Sequence, residues 1–254
     1  MILAIDVGNT NIVLGAISDG EVLREVRIHT DRHVTDAEIA ISIRQVLEYC
    51  GLSVDSIDGS IVASVVPSVT DALRVALTNL TGKKPLVVGP GMKTGMNVRI
   101  DDPSTLAADL AVGSIAAMQY YGTPSIIIDM GTATTVVVVD KTGSYIGGAI
   151  YPGLHLSMEA LSSGTSLLPS VSIAPPKKVI GTNTVDCMQS GAVFGTASML
   201  DGMIDRMEEE MGCKCTVVAT GGLAGGIVPC CRHEIIYDSD LLMKGLWYLY
   251  QKNT

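Results

Sequence analysis

Two Asp-x-Gly turns, each at the end of a short apolar run, are the residues of this chain best suited to chemistry. Asp6-Val7-Gly8 ends the predicted strand Ile2–Asp6, and Asp129-Met130-Gly131 ends the predicted strand Ser125–Asp129. A glycine turn leaves several backbone N–H groups pointing outward, where they can cradle phosphate oxygens. The aspartate would face a hydrated divalent cation, because Mg²⁺ binds few carboxylates and keeps several waters. The two turns therefore predict binding of a polyphosphate.

The two turns are copies within an internal repeat. Asp6 and Asp129 lie 123 residues apart, about half the chain, and at the same offset Val13 matches Val136 and Gly20 matches Gly143. A single Asp-Gly turn is more often only a capped turn, but two at matched positions favour a functional pair. A repeat this long indicates duplicated domains rather than a solenoid. We expect an N-terminal lobe of residues 1–117 and a C-terminal lobe of residues 118–254, with the two turns meeting at a cleft.

A third glycine-rich loop runs from Thr220 to Gly226 and includes Gly221 and Gly222. It follows a predicted strand and opens a predicted helix, so a helix N-terminus there would favour an anion. A flexible turn without a ligand is the alternative. The loop lacks the Gly-Lys-Ser/Thr ending of a Walker A motif and the spacing of a dinucleotide-binding fingerprint.

The elements that position these loops follow the same order in both halves. Strands are predicted at Ile2–Asp6, Asn11–Ser18 and Glu21–His29, and again at Ser125–Asp129, Thr134–Asp140 and Ser144–Tyr151. Asp19-Gly20 and Thr142-Gly143 supply the positive-φ positions of hairpin turns. Helices and further strands follow, including a helix over Ser104–Gln119. This order predicts an α/β protein with mixed sheets, each adding an antiparallel hairpin to a parallel core.

The composition excludes several other classes of protein. With 47% hydrophobic residues among 254, the chain has enough apolar side chain to form a core and is not intrinsically disordered. A formal net charge of −9 argues against a face that binds a nucleic-acid backbone. Because there is no run of ~18 apolar residues and no basic, apolar leader, we expect a cytoplasmic protein.

Six cysteines raise the alternative of a zinc site: Cys50, Cys187, Cys213, Cys215, Cys230 and Cys231. The last four, together with His233, are the possible ligands. Adjacent or singly spaced thiols are not the usual C-x₂₋₄-C arrangement. Reduced thiols without a metal are therefore the favoured interpretation.

The three loops, in this order, resemble the actin-like ATPase fold that sugar kinases and heat-shock ATPases share. More closely, a series of segments is similar to those of type III pantothenate kinases: Asp6–Asn11, Asp129–Thr135, Gly147–Leu154, Leu167–Pro169, Gly181–Thr184 and Thr220–Ala224. The resemblance covers essentially the whole chain. It implies two duplicated ribonuclease-H-like domains, each a mixed five-stranded sheet flanked by helices, with a central cleft.

The resemblance also implies an activity. It is the ATP-dependent phosphorylation of pantothenate to 4'-phosphopantothenate, the first step of coenzyme A biosynthesis, by a homodimer that uses Mg²⁺ and a monovalent cation, K⁺ or NH₄⁺. Two alternatives stay open. One is a nucleotide-binding regulatory or accessory homologue with impaired catalysis, and the other is a kinase for another small alcohol.

Site residues follow from the same resemblance. ATP would contact Asp6, Val7, Gly8, Asn9, Thr10, Asn11, Ile12 and Val13, together with Thr132, Gly221 and Gly222. Pantothenate would contact Ile100, Ala107, Ala108, Asp109, Leu110 and Thr184. Asp109 would be the catalytic base, Asp129 would bind the monovalent cation, and Asp6 would face the Mg²⁺ of ATP. Without the resemblance, Asp109 is a lone carboxylate in an Ala-rich helix, which more often lies on a solvated face.

The sequence departs from the family at the acceptor motif. The family pattern is Gly-Ala-Asp-Arg, whereas this chain has Ala107-Ala108-Asp109-Leu110. A lost bidentate contact between an arginine and a carboxylate costs roughly 10²-fold in rate or affinity. A substrate-contacting tyrosine of the family corresponds to Ile100. Arg99 is a possible substitute, although adjacent strand residues point to opposite faces.

Overall fold

The computed structural model describes all residues, Met1–Thr254, in two compact units. The first unit comprises Met1–Gly95, Asp102–Ala116 and Asp240–Thr254, and the second comprises Met96–Asp101 and Ala117–Ser239. The closing segment of the chain therefore groups with the N-terminal unit. The proposed domain border between residues 117 and 118 stays a prediction.

Eleven strands and eight α-helices make up the two units. The strands are β1 (Ile2–Val7), β2 (Asn11–Ser18), β3 (Glu21–His29), β4 (Gly59–Ser64), β5 (Leu86–Val87), β6 (Asn97–Val98), β7 (Ser125–Met130), β8 (Ala133–Val139), β9 (Ser144–Pro152), β10 (Thr216–Thr220) and β11 (Ile236–Tyr237). The helices are α1 (Asp36–Tyr49), α2 (Pro67–Thr81), α3 (Ala108–Tyr121), α4 (Leu154–Ser163), α5 (Thr184–Ser190), α6 (Thr196–Met211), α7 (Ala224–Ile227) and α8 (Leu241–Asn253). None of the helices is both long and apolar enough to cross a membrane.

The sheet of the first unit has the order β3-β2-β1-β4-β5, with β1 antiparallel to β2 and parallel to β4. Helix α1 packs through Ile39, Ile43 and Leu47, which are four residues apart and therefore share one helix face. A capping box begins this helix, since Thr35 and Glu38 bond reciprocally. Because α8 also packs against β1 and β4, every residue of β1 is buried, as expected for a central strand covered on both faces.

The sheet of the second unit has the order β11-β10-β7-β8-β9-β6. It contains one strand more than the five predicted, because Asn97–Val98 pairs in parallel with the start of β9. Its core joins β7, β8 and β10 to apolar residues of α6, among them Leu200 and Ile204. Both sheets therefore carry the predicted antiparallel hairpin beside a parallel pair of strands.

The internal repeat is not held at a constant offset. In the first unit Asp6 pairs with Val13, whereas in the second Asp129 pairs with Thr135 and not with Val136. The predicted equivalence of Val13 and Val136 is wrong, because the second turn contains one residue fewer. The strand β8 accordingly begins at Ala133, one residue before the predicted start.

The helix predicted over Ser104–Gln119 begins later than expected. Pro103–Thr105 form a separate 3₁₀ turn capped by Asp102, and Leu106 has an extended backbone. Helix α3 therefore starts at Ala108 and ends at Tyr121. This interruption places Asp109 in the first turn of the helix.

The cysteines are unpaired thiols. Burial raises the pKa of Cys215 to about 11 and that of Cys231 to about 12. Both side chains are therefore protonated at neutral pH and are poor nucleophiles.

Candidate active site

The loop after β1 is a tight, exposed turn in the first unit. The Gly8 amide donates to the Asn11 carbonyl at 3.0 Å, which closes the turn. Asn9, Thr10 and Asn11 are exposed, whereas Ile12 is buried in the sheet. The backbone and small polar side chains of this turn are therefore accessible to a phosphate group, and Ile12 offers a ligand only its backbone.

Thr30 and Arg32, which follow β3, support this turn. The Thr30 hydroxyl donates to the Gly8 carbonyl at 2.8 Å, and the Thr30 amide donates to the Thr10 carbonyl at 2.9 Å. The Arg32 Nη2 group donates to Asn9 Oδ1 at 3.0 Å, and the Arg32 carbonyl accepts from the Ser68 hydroxyl at 2.9 Å. Arg32 belongs to no motif in the sequence, where it is only a lone basic residue shortly after a predicted strand.

Asp6 is the last polar side chain of β1 and is buried, with 9% of its surface exposed. In the sheet it lies between Val13 of β2 and Ala63 of β4. Val7, the next residue, has a fully buried side chain and offers a ligand only its backbone. A carboxylate at this strand end has the oxygen chemistry that a hard divalent cation prefers.

Asp109 lies half-buried in the first turn of α3. Burial raises the pKa of its carboxyl, although the Leu110 amide donates to Asp109 Oδ1 at 2.8 Å and opposes the shift. A carboxylate that is desolvated in this way is a better proton acceptor than an exposed one. Asp109 is therefore shielded from water in part and does not lie on a fully solvated helix face.

Three loops meet at the end of β7 in the second unit. The Gly131 amide donates to the Ala133 carbonyl, and the Gly153 amide donates to the Thr132 carbonyl, each at 3.0 Å. Gly221 has φ +95°, and a Cβ on it would lie 2.6 Å from the Met130 nitrogen. The second Asp-x-Gly turn, the end of β9 and the glycine-rich loop are thus in backbone contact, which only glycine permits at these points.

The polar residues of this junction are accessible in part. Asp129 is half-buried on β7 and pairs with Thr135 on one side and Thr220 on the other. Thr132 and Gly222 are exposed. The arrangement therefore presents a carboxylate, a hydroxyl and glycine backbone from neighbouring loops of one sheet edge.

The glycine-rich loop leads into the predicted helix, which is only one turn long. Helix α7 contains only four residues, Ala224–Ile227, and no side chain caps it. A helix of one turn has too few aligned peptides to attract an anion strongly. The value of Gly221 lies in its close backbone approach to Met130 instead.

A cavity of about 900 Å³ lies in the second unit between α4, α5 and the end of β9. Thr184, the first residue of α5, lines it together with Asn183, whose side chain caps the helix. Thr134 and Pro152, which flank the junction of loops, line it as well. None of the lining residues is charged. The cavity is thus suited to an apolar or hydroxyl-bearing small molecule.

Comparison with known proteins decides the family. A family model described as type III pantothenate kinase matches residues 2–206. The chain belongs to the type III pantothenate kinase family. Curated proteins of that name are 44% identical over 254 residues in Moorella thermoacetica, with 100% of both chains covered, and 44% identical over 254 residues in Bacillus cytotoxicus, with 100% of this chain and 97% of the relative covered.

Several solved structures share the fold of this member of the type III pantothenate kinase family, although their sequence identity to it is low. A conserved putative Baf family transcriptional activator from Campylobacter jejuni has a TM-score of 0.60 and 18% identity, covering 99% of this chain and 98% of that one. Component A of (R)-2-hydroxyglutaryl-CoA dehydratase from Acidaminococcus fermentans has a TM-score of 0.58 and 17% identity, covering 98% and 96%. An inorganic polyphosphate/ATP-glucomannokinase from Arthrobacter has a TM-score of 0.51 and 16% identity, covering 98% of each chain. The predicted actin-like ATPase fold class is confirmed.

The residues at which the chain departs from the family pattern lie in both units. Ala107 and Leu110, which depart from the family motif, and Ala108, which matches it, are half-buried around the start of α3. Ile100 is half-buried and lies near Gly147 of β9. A Cβ built on Gly147 would be 3.9 Å from Ile100 Cγ2. Arg99 Nη1 lies 3.5 Å from Asp140 Oδ2 at the β8–β9 turn. Because the Arg99 guanidinium pairs with that carboxylate, the structure gives no support to Arg99 as a substitute for the missing arginine.

Proposed function

We propose that the chain transfers the γ-phosphoryl group of ATP to the primary hydroxyl of pantothenate, forming 4'-phosphopantothenate for coenzyme A biosynthesis. The observation that carries the proposal is the recurrence of one Asp-x-Gly hairpin turn in both sheets of a type III pantothenate kinase family member. Phosphoryl transfer depends on positioning and charge neutralisation more than on covalent catalysis. Two such turns, the cations held beside them and one desolvated carboxylate would together supply both.

The ATP-binding role rests on the exposed backbone of the turns. Asn9, Thr10 and Thr132 would donate to phosphate oxygens, and Arg32 would add a positive charge beside the first turn. The tight seating of Gly153 and Gly221 against the second turn supports a rigid loop. A rigid loop loses little conformational entropy when a nucleotide binds.

Asp109 would act as the general base. The acceptor oxygen attacks the γ-phosphorus, the bond to the β–γ bridging oxygen breaks, and the hydroxyl proton moves to a carboxylate oxygen of Asp109. The raised pKa of Asp109 supports this role, because it brings the basicity of the carboxylate closer to that required at neutral pH. ADP leaves with the bridging oxygen.

The carboxylates of Asp6 and Asp129 are chemically suited to hold cations. Asp6 would hold Mg²⁺ through water, and Asp129 would hold K⁺ or NH₄⁺, since each is the penultimate residue of its strand, beside one of the turns. When bound, these cations neutralise charge on the phosphate oxygens. Asp6 and Asp129 orient them from fixed strand positions.

A kinase for another small alcohol is the second candidate. Leu110 stands where the family has an arginine, and the cavity beside Thr184 has no charged lining residue. Both observations favour an acceptor that lacks a carboxylate. A homologue that binds nucleotide without turnover is the third outcome that the experiment below separates.

We also propose a cytoplasmic homodimer. Large apolar side chains are exposed on the second unit at Leu156, Leu161, Leu167 and Ile180. A second copy that covers them would remove this surface from water. Sedimentation velocity should give the mass of a dimer, and a monomer at micromolar concentration would refute this part.

The activity is tested by following ADP release with Mg²⁺ and K⁺ present. Pantothenate should stimulate release, and Asp109→Asn should abolish that stimulation. Turnover with pantetheine or another uncharged alcohol, but not with pantothenate, would support the second candidate. Retained ATP binding without turnover on any acceptor would support the impaired homologue.

A further inference from the structure

Asp205, Glu208 and His233 form a cluster in the second unit that the proposed phosphoryl transfer does not use. Asp205 and Glu208 are three residues apart on α6 and therefore share a helix face, whereas His233 comes from the segment between α7 and β11. One ligand atom from each residue lies within 4.8 Å of the other two. The His233 Nε2 and Asp205 Oδ1 atoms are 2.9 Å apart.

The backbone holds this cluster in place. The Asp201 carboxylate, one helical turn before Asp205, accepts from the amides of Arg232 and His233 at 2.9 to 3.1 Å. These bonds fix the segment that carries the imidazole against α6. The Cys215 amide donates to Glu208 Oε1 at 2.9 Å and fixes that carboxylate. Preorganisation of this kind lowers the cost of gathering ligands around an ion.

A surface cation already neutralises the buried carboxylate. Lys214 Nζ lies 2.6 Å from Glu208 Oε2, and the side chains are 83% and 8% exposed, respectively. A buried carboxylate requires a positive partner, but an exposed lysine is held weakly and is free to leave. Asp205 and Glu208 carry two negative charges, so a divalent cation would supply more compensating charge than the single ammonium of Lys214 does.

The donor set identifies the class of ion. Zn²⁺ binds imidazole nitrogen and carboxylate oxygen at 2.0–2.2 Å in tetrahedral geometry, which places ligand atoms about 3.4 Å apart. An imidazole favours first-row transition metals over Mg²⁺ and Ca²⁺. We propose that Asp205, Glu208 and His233 bind a divalent transition-metal ion of the Zn²⁺ class, which displaces the Lys214 ammonium, with water completing the coordination. The nearby thiols are not ligands in this arrangement.

The experiment is a Zn²⁺ titration of the full chain by isothermal calorimetry. The wild type should bind one ion, and His233→Ala should weaken binding by at least about tenfold. Lys214→Ala should strengthen binding, because it removes the competing cation. His155→Ala, which changes a histidine outside the cluster, is the matched control and should bind as the wild type does.

Several results would overturn the proposal. One is that His233→Ala binds Zn²⁺ as tightly as the wild type does. Another is that Lys214→Ala binds Zn²⁺ more weakly than the wild type does. If His233→Ala fails to fold, as judged by circular dichroism, Asp205→Asn replaces it with the same expectation. Bound Co²⁺ should give weak visible bands without strong thiolate charge-transfer absorption in the near ultraviolet. Strong absorption of that kind that Cys215→Ser abolishes would assign the ion to the thiols instead.

Discussion

The amide of Gly153 donates to the carbonyl of Thr132 at 3.0 Å, so the end of β9 is bonded directly to the second Asp-x-Gly turn. A Cβ at Gly153 would lie 2.5 Å from the Gly131 carbonyl oxygen and closer still to that of Thr132. The two loops therefore approach more closely than any side chain allows. The position of Thr132 depends on the absence of a side chain at residue 153.

Replacing Gly153 by alanine should move the second turn. The added methyl group collides with backbone, which cannot rotate away, so we expect a loss of about 1–3 kcal/mol in the free energy of unfolding. The KM for ATP should rise, because Thr132 shifts. Gly89→Ala is the control, since a Cβ there meets no atom within 4 Å and its φ is not positive. Chemical denaturation and steady-state kinetics measure both effects, and equal behaviour of the two variants would contradict this account.

The hairpin strands were predictable from the sequence because hairpins have strong local signals. Asn11–Ser18 and Glu21–His29 were predicted with their observed bounds, since two runs rich in apolar residues flank the Asp19-Gly20 turn. The one-residue difference between the two repeats was not predictable, because a constant offset in sequence does not reveal which residues pair. The strand Asn97–Val98 was missed because two residues carry no periodicity, and only its partner β9 defines it.

Asp109→Asn should lower kcat by roughly 10²–10⁴-fold, the usual contribution of a general base. The change is nearly isosteric, and the asparagine oxygen still accepts from the Leu110 amide. ATP affinity should therefore be unchanged. Asp101→Asn, at an exposed carboxylate on the same segment of chain, is the control and should be fully active. Equal loss of ATP binding and turnover would mean that Asp109 is structural.

Asp109→Asn should also stabilise the fold at neutral pH. Burial raises the pKa of Asp109 in the folded state, so folding favours its protonated form. The contribution of Asp109 to stability is full below its unfolded pKa of about 4 and is lost as pH rises through the folded pKa. Asp109→Asn should therefore have a higher Tm than the wild type at neutral pH, and the difference should vanish at acidic pH. A lower Tm at neutral pH would show that burial of the charge carries no cost.

Arg32→Gln should weaken ATP binding with little effect on kcat. The guanidinium orients Asn9 and adds positive charge beside the first turn, and its loss should raise the KM for ATP about fivefold, or ~1 kcal/mol. Arg24→Gln on β3 removes an equal charge from an exposed position and is the control. If both variants raise KM alike, the effect is one of net charge and not of Arg32.

Leu110→Arg should lower the KM for pantothenate. A charged hydrogen bond to a carboxylate is worth about 2 kcal/mol, or roughly 30-fold in affinity. Leu110→Gln tests length and polarity without charge and should give a smaller gain. A panel of pantothenate and uncharged alcohols measures the change in specificity. An unchanged KM for pantothenate would show that the acceptor carboxylate lies elsewhere.

The candidate site was predictable in part. The Asp-x-Gly turns carry their own signal, because an aspartate two residues before a glycine, at the end of an apolar run, occurs twice at matched positions. The partial burial of Asp109 was not predictable. It depends on the extended backbone of Leu106, because of which α3 starts at Ala108 and not at Ser104. Arg32 was missed because its contact with Asn9 joins residues 23 positions apart. Contacts of this kind arise from tertiary packing and have no local pattern.

The most direct test of the central claim is to detect the phosphate ester itself. Pantothenate and ATP are incubated with the chain, Mg²⁺ and K⁺, and the products are resolved by ³¹P nuclear magnetic resonance and mass spectrometry. The account predicts equal amounts of ADP and 4'-phosphopantothenate with the wild type and neither above background with Asp109→Asn. ADP without the ester, or no reaction from protein that still binds ATP, would contradict it.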